Sequence, residues 1–174
     1  SSDLLDPARI EAIELAADAA RQRSKPIVLD PVMIHMSPLR AKFARQLAAD
    51  MTIIRGNPQE LSLLQKGRHP EVCFATTGEQ DKVEFENRIV SIANGDALMD
   101  RVIATGCALG ALISALSTKT DNPLVASMAG LLWFSIAGEV AAEKATGPGS
   151  FQPAFIDTLH AIEVTTISER ARLE

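Results

Sequence analysis

"KPIVLDPVMIHMSPLRAKFARQLAADMTIIRGN", residues 25–57, sets a strand, a helix and a second strand in succession. "KPIVLDPV" is a short apolar run of the buried-strand type, ended by Asp30-Pro31. "SPLRAKFARQLAAD" reads as a helix with Ser37 as N-cap and Pro38 in the first turn. "MTIIRGN" is a second strand, stopped by Gly56. Strands that alternate with helices predict an α/β fold with a mainly parallel sheet.

The same alternation extends outward. "DPARIEAIELAADAARQR" is a helix capped by Asp6, with Pro7 in its first turn and Ile10, Ile13, Ala17 and Ala20 at helical spacing. Downstream, Pro58 starts a short helix, "PQELSLLQK", and "EVCFATTG" is a third strand. The fifteen residues from Gly56 to Pro70 are just enough for a parallel crossover. "KVEFENRIVSIANGDALMDRV" predicts a hairpin with Asn94-Gly95 as its turn. Two long helices follow near 105–118 and 123–145, "GPGSFQP" interrupts the chain, and a last helix spans about 153–170. The 174 residues suffice for one domain, 1–174, with a real core.

Composition narrows the function classes. The net charge is −5 and no basic stripe is present, which argues against a nucleic-acid surface. Aromatic residues make up 4% with no Tyr, too few for a base-stacking platform. The only cysteines, Cys73 and Cys107, form no CxxC pair, and His35, His69 and His160 are dispersed, which argues against zinc and disulfides. "PLVASMAGLLWFSIAG", 123–138, has 16 residues where a membrane span needs about 20, so it reads as a buried helix. Ser1–Asp6 is polar and acidic, unlike a secretory leader, and two unpaired thiols suit a reducing cytosol. The expectation is a cytoplasmic protein without membrane partners.

Candidate chemistry lies at the strand ends, where open α/β sheets bind ligands. Asp30-Pro31, Arg55-Gly56-Asn57 and Thr76-Thr77-Gly78-Glu79 end three strands, and Ala104-Thr105-Gly106 leads into a helix. The first N–H groups of that helix lack partners and attract anions, phosphate above all, and Gly106 permits close approach. Cys107 in the same turn is either a thiolate or hydrogen-bonded thiol beside chemistry, or a small buried hydrophobe. Asp30 and Glu60 suit magnesium, which takes a few carboxylates and substrate phosphates. Equally, Asp30 suits a turn and Glu60 a helix start. Arg55 is a phosphate clamp or a surface cation, and Thr77 a nucleotide contact or a turn cap. Neither GxxxxGK[ST] nor GxGxxG occurs.

Six stretches in order resemble the hydroxyethylthiazole kinase family: "VLDPV" (28–32), "IRGNPQEL" (54–61), "TTGEQD" (76–81), "IANGDALMDRVIATGCALGALISA" (92–115), "AGEVAAEKA" (137–145) and "GPGSFQPAFIDTL" (147–159). The resemblance implies a ribokinase-like three-layer αβα fold, lacking the family's N-terminal elements. It implies ATP- and magnesium-dependent phosphorylation of 4-methyl-5-(2-hydroxyethyl)thiazole on its primary alcohol, in thiamine salvage, by a homotrimer. Carried over residue by residue, it makes Asp30 and Glu60 metal-side carboxylates, and Arg55, Thr77, Thr105 and Gly106 ATP contacts. Ala104 falls on a substrate contact, and Cys107 where related kinases carry an aspartate base. "MIHM", 33–36, replaces a glycine-rich turn of the family, which predicts crowding by Met33 and Met36 and a surface position for His35. Two alternatives stand beside this reading: a hydrate dehydratase-like lyase on the same fold, and a non-catalytic nucleotide-binding relative.

Overall fold

The structure, a computed structural model, describes residues 5–64, 70–103 and 105–174. Chain order is α1 (Pro7–Gln22), β1 (Val28–Leu29), α2 (Pro38–Ala48), β2 (Ile53–Gly56), α3 (Pro58–Ser62) and β3 (Cys73–Thr76). There follow β4 (Asp81–Phe85), β5 (Arg88–Ile92), α4 (Thr105–Ser117), α5 (Pro123–Ala142), α6 (Pro148–Ala161) and α7 (Val164–Arg170). The expected caps form: Asp6 Oδ1 accepts from Arg9 N at 2.8 Å and Ser37 Oγ from Arg40 N at 3.4 Å.

The five strands form one sheet in the order β1-β2-β3-β4-β5. β1, β2 and β3 pair in parallel, in a register that sets Ile53 beside Cys73 and Gly56 beside Thr76. β3–β4 and β4–β5 pair antiparallel. The sheet is therefore mixed rather than mainly parallel, because the hairpin contributes as many pairings as the crossovers do.

Strand alternation makes the three layers. Ile53, Cys73 and Ala75 point to one face, where Leu109 and Ile113 of α4, Leu131 and Phe134 of α5, and Phe151 and Phe155 of α6 cover them. Ile54 and Phe74 point to the other face and meet Ala41 and Ala44 of α2 and Leu61 of α3. α5 has 20 residues, long enough to cross a membrane, so its length does not exclude a span. Its burial explains its composition instead: Leu131, Ala137 and Ala141 are fully buried among α4, α6 and the sheet, and Ile136 is fully buried as well.

Three boundaries differ from expectation. The β4–β5 turn is Glu86-Asn87, with Glu86 in the left-handed region at φ 53°, not Asn94-Gly95. Asn94 is instead buried after β5, where it donates to Glu139 Oε1 at 3.1 Å and to the Arg170 carbonyl at 3.0 Å and accepts from Arg172 N at 2.8 Å. Gly147 of the "GPGSFQP" stretch is the N-cap of α6, and the rest lies inside the helix, which begins at Pro148 and carries Pro153. A break at Ile162–Glu163 then separates α6 from α7. Beyond α7 the chain pairs with β5: Ser91 N donates to the Glu174 carbonyl at 2.9 Å and Glu174 N to the Ser91 carbonyl at 3.0 Å.

Candidate active site

β1, β2 and β3 are parallel, so their carboxyl ends open on the same edge of the sheet, and α4 begins beside them. There the side chains of Asp30, Arg55 and Thr77 meet. Arg55 Nη1 donates to Asp30 Oδ2 at 3.1 Å, and Arg55 Nη2 donates to Thr77 Oγ1 at 3.0 Å. The ion pair is mostly shielded, with 11% of the Arg55 side chain and 18% of the Asp30 side chain exposed.

Two glycines on one face of α4 let this pair lie against the helix backbone. A Cβ at Gly106 would sit 2.8 Å from Arg55 Nη1, and one at Gly110 would sit 3.1 Å from Asp30 Oδ2. Gly110 was missed from the sequence. The four-residue spacing Gly106–Gly110 is the signal that finds it, since residues i and i+4 share a helix face.

The cluster is not saturated. Asp30 Oδ1 and Arg55 Nε are buried without a hydrogen-bond partner. Burial pushes the Asp30 carboxyl above its ordinary value; Arg55 opposes this and the nearby Glu60 adds to it. Glu60 is itself buried and closes a capping box on α3. Its Oε2 accepts from Asn57 N at 3.0 Å, and its Oε1 accepts from Met33 N at 2.7 Å. That second bond holds Met33 in the left-handed region at φ 55°. Each Glu60 oxygen retains a further lone pair. Among the described residues no group of three or more His, Cys, Asp or Glu gathers as a metal cage.

A cleft of about 730 Å³ opens beside the cluster. Arg55, Thr77, Gly78, Thr105 and Gly106 form its polar end, and Met99, Leu109 and Phe134 its apolar wall. Asp30 lines instead a second, more apolar groove of about 870 Å³ between α1 and α2, so the Asp30–Arg55 pair stands between the two spaces. Met33 and Met36 line that groove and are largely exposed, so the crowding expected of them does not reach the cleft. His35 is half-buried rather than on the surface, and its Nδ1 is buried without a partner.

Cys107 is exposed, which removes the buried-hydrophobe reading, and it stands outside the lining of the cleft. Ala104 lies outside the described residues. Cys73 is the buried thiol in the core: burial pushes it up to about 11, against the opposing hydrogen bond to Ser127. The sequence also missed Asp81, a buried carboxylate on the cleft lining at the start of β4.

The sequence profile of the hydroxyethylthiazole kinase family matches residues 3–72 and 65–165. The chain belongs to the hydroxyethylthiazole kinase family. Relatives in that family include a probable hydroxyethylthiazole kinase of Agrobacterium fabrum (strain C58), 40% identical over 171 residues, which cover 98% of this chain and 69% of the relative. The hydroxyethylthiazole kinase of Granulibacter bethesdensis is 38% identical over 189 residues, covering 94% of this chain and 69% of the relative. The solved hydroxyethylthiazole kinase protein of Pyrococcus horikoshii OT3 superposes with a TM-score of 0.90 at 31% identity, over 98% of this chain and 73% of that one. A Bacillus subtilis pyridoxal kinase shares the fold at a TM-score of 0.55 and 22% identity, over 74% of this chain and 59% of that one. The hydroxyethylthiazole kinase fold seen here is thus ribokinase-like, as the sequence resemblance implied.

Proposed function

We propose that this chain transfers the γ-phosphoryl group of ATP to the primary alcohol of 4-methyl-5-(2-hydroxyethyl)thiazole. The observation that carries the proposal is the Asp30–Arg55–Thr77 cluster laid against Gly106 at the start of α4, in a chain of this family.

The residues have distinct tasks. Phosphoryl transfer passes through a loose transition state, so positioning and charge stabilisation supply most of the catalysis. The first-turn amides of α4, reached past Gly106 and Thr105, receive the terminal phosphate. Arg55 exchanges its neutral partner Thr77 and its carboxylate partner Asp30 for phosphate oxygens, to which its planar fork is suited. The orphaned Asp30 Oδ1, with Glu60 close enough to perturb it, fits a hard divalent cation that takes one or two carboxylates and completes its shell with phosphate and water. Magnesium, held there by Asp30 and Glu60, would neutralise charge on the phosphates. Cys107 lies in the same first turn, exposed and outside the cleft lining, and would serve only as a weak acid–base group, which suffices where the alcohol needs little activation.

Incubation with ATP, magnesium and the thiazole alcohol tests the proposal, with the thiazole phosphate and ADP quantified by mass spectrometry. Stoichiometric formation of both is expected. ADP binding without any phosphorylated thiazole overturns it in favour of a non-catalytic nucleotide binder. Restoration of a reduced nicotinamide from its hydrate overturns it in favour of a lyase.

A further inference from the structure

We propose that Asp81 is a positioning residue for the nucleotide end of the cleft, fixing the 77–80 turn so that Thr77 stays aligned with Arg55. The inference rests on the kinase reading of the cleft and adds a residue to it.

The observations are geometric. Asp81 opens β4, directly after the turn that Thr77 begins, and only 8% of it is exposed. Its Oδ1 accepts from Gly78 N at 3.0 Å, tying the turn to its own exit. Its Oδ2 accepts from Ser135 Oγ at 3.4 Å, anchoring the same carboxylate to α5 on the far wall of the cleft. Ser135 is itself buried. Thr77 N donates to the Gly56 carbonyl at 2.9 Å, and Thr77 Oγ1 accepts from Arg55 at 3.0 Å. A connected path therefore runs by hydrogen bonds from α5 to Asp81 and Gly78, along the peptide bond to Thr77, and by a further hydrogen bond to Arg55.

Burial pushes Asp81 above its ordinary value despite the Gly78 and Ser135 bonds and the field of Arg55. A buried carboxylate on the cleft lining, bonded to the turn that carries the cleft-facing Thr77, is placed to act on that turn. Asp81 itself touches neither phosphate nor acceptor in this scheme; it acts through Thr77.

Asp81→Ala and Asp81→Asn test it, with ADP affinity read by isothermal titration calorimetry and KM for ATP and for the thiazole alcohol read separately. The amide of Asn still offers Oδ1 to Gly78 N and can donate to Ser135. The expected result is about tenfold weaker ADP binding and a matching rise in KM for ATP in Asp81→Ala, the scale of one lost charged hydrogen bond. KM for the alcohol should stay within about twofold, and Asp81→Asn should restore ADP affinity to within about threefold of the unaltered protein, effects well under that scale. Unchanged ADP affinity in Asp81→Ala overturns the inference alone, as does an equal rise in both KM values or an Asp81→Asn protein as impaired as Asp81→Ala. Absence of ADP binding in the unaltered protein overturns the reading of the cleft, and this inference with it.

Discussion

Two polar clusters, one on each side of the cleft, use the same residue types in opposite ways. Around Glu139, nearly every group is matched: Oε1 accepts from Asn94 Nδ2 at 3.1 Å, from Gly95 N at 2.9 Å and from Arg172 Nη2 at 2.6 Å. Asn94 Oδ1 takes the Arg172 amide, and Arg172 also reaches the Ala93 carbonyl. Around Arg55, by contrast, Asp30 Oδ1 and Arg55 Nε are buried and unmatched. Buried polar groups in native proteins are nearly all paired, so an unpaired set has a reason to exist. The Glu139 cluster joins β5, α5 and the C-terminal residues. The Arg55 cluster is left short of partners that a ligand can supply.

Breaking each cluster should therefore have a different readout. Arg55→Lys keeps the charge but loses the fork that spans Asp30 and Thr77. It should lower kcat/KM by about 100-fold, the scale seen when one preorganised stabilising donor is lost, with the melting temperature little changed. Steady-state kinetics beside a thermal melt decide this; a large loss of stability with normal turnover would make the cluster structural.

Gly106→Val and Cys107→Ser sharpen the same side. A Cβ at 106 meets the Arg55 guanidinium within 2.8 Å, a flexible group that can move, so the fold survives and the site does not. Gly106→Val should cost at least tenfold more kcat/KM than Cys107→Ser, about the effect of moving a catalytic group slightly off position. The reverse order would return the main catalytic burden to the thiol.

On the other side, Glu139→Ala removes an acceptor shared by three donors. It should destabilise the protein by about 2 kcal/mol, a melting shift of roughly 4–8 °C for a chain of this size. Its effect on kcat should fall well below that of Arg55→Lys. A stability unchanged by this substitution would erase the contrast between the clusters.

The smallest expected effect concerns pH. Asp81 is held above its ordinary value of 3.8, chiefly by burial. The folded state then binds more protons than the unfolded state between those two values. Stability is greatest below the ordinary value and declines as pH rises through the raised one. Asp81→Asn should therefore be slightly more stable than the unaltered protein at neutral pH, with the difference vanishing in acid. Melting curves at pH 7 and pH 4 check the sign; a less stable variant at neutral pH contradicts it.

The sequence made the parallel half of this fold readable because each crossover there carries its own punctuation. Asp6, Ser37 and Asn57 cap helices that each begin with proline. The hairpin was misplaced for a physical reason: Asn-Gly is the strongest short-range turn signal, but the Asn94 side chain finds three partners far along the chain, and the turn falls to Glu86-Asn87. At the site, strand-end polarity pointed to Asp30, Arg55 and Thr77. It did not disclose that they bond to one another, because that depends on how closely α4 approaches over Gly106 and Gly110. Glu60 was legible as a helix-start acid near the Asp30 strand end, while its bond to Met33 N was not, since it depends on a left-handed residue with no glycine to announce it. Asp81 went unnoticed because a carboxylate at a strand start gives no periodic signal.

The pairing of Glu174 with Ser91 has a colloidal consequence. A strand on the border of a sheet displays a row of unmet amides that another molecule can adopt as a template for fibre-like growth. Along β5 those amides are partly engaged by the segment after α7, through Ser91 N and Ala93 N. Cleavage between α7 and Arg172 that released this pairing segment would thus turn a guarded border into an adhesive one, and the loss would first be visible as turbidity rather than as a change in catalysis.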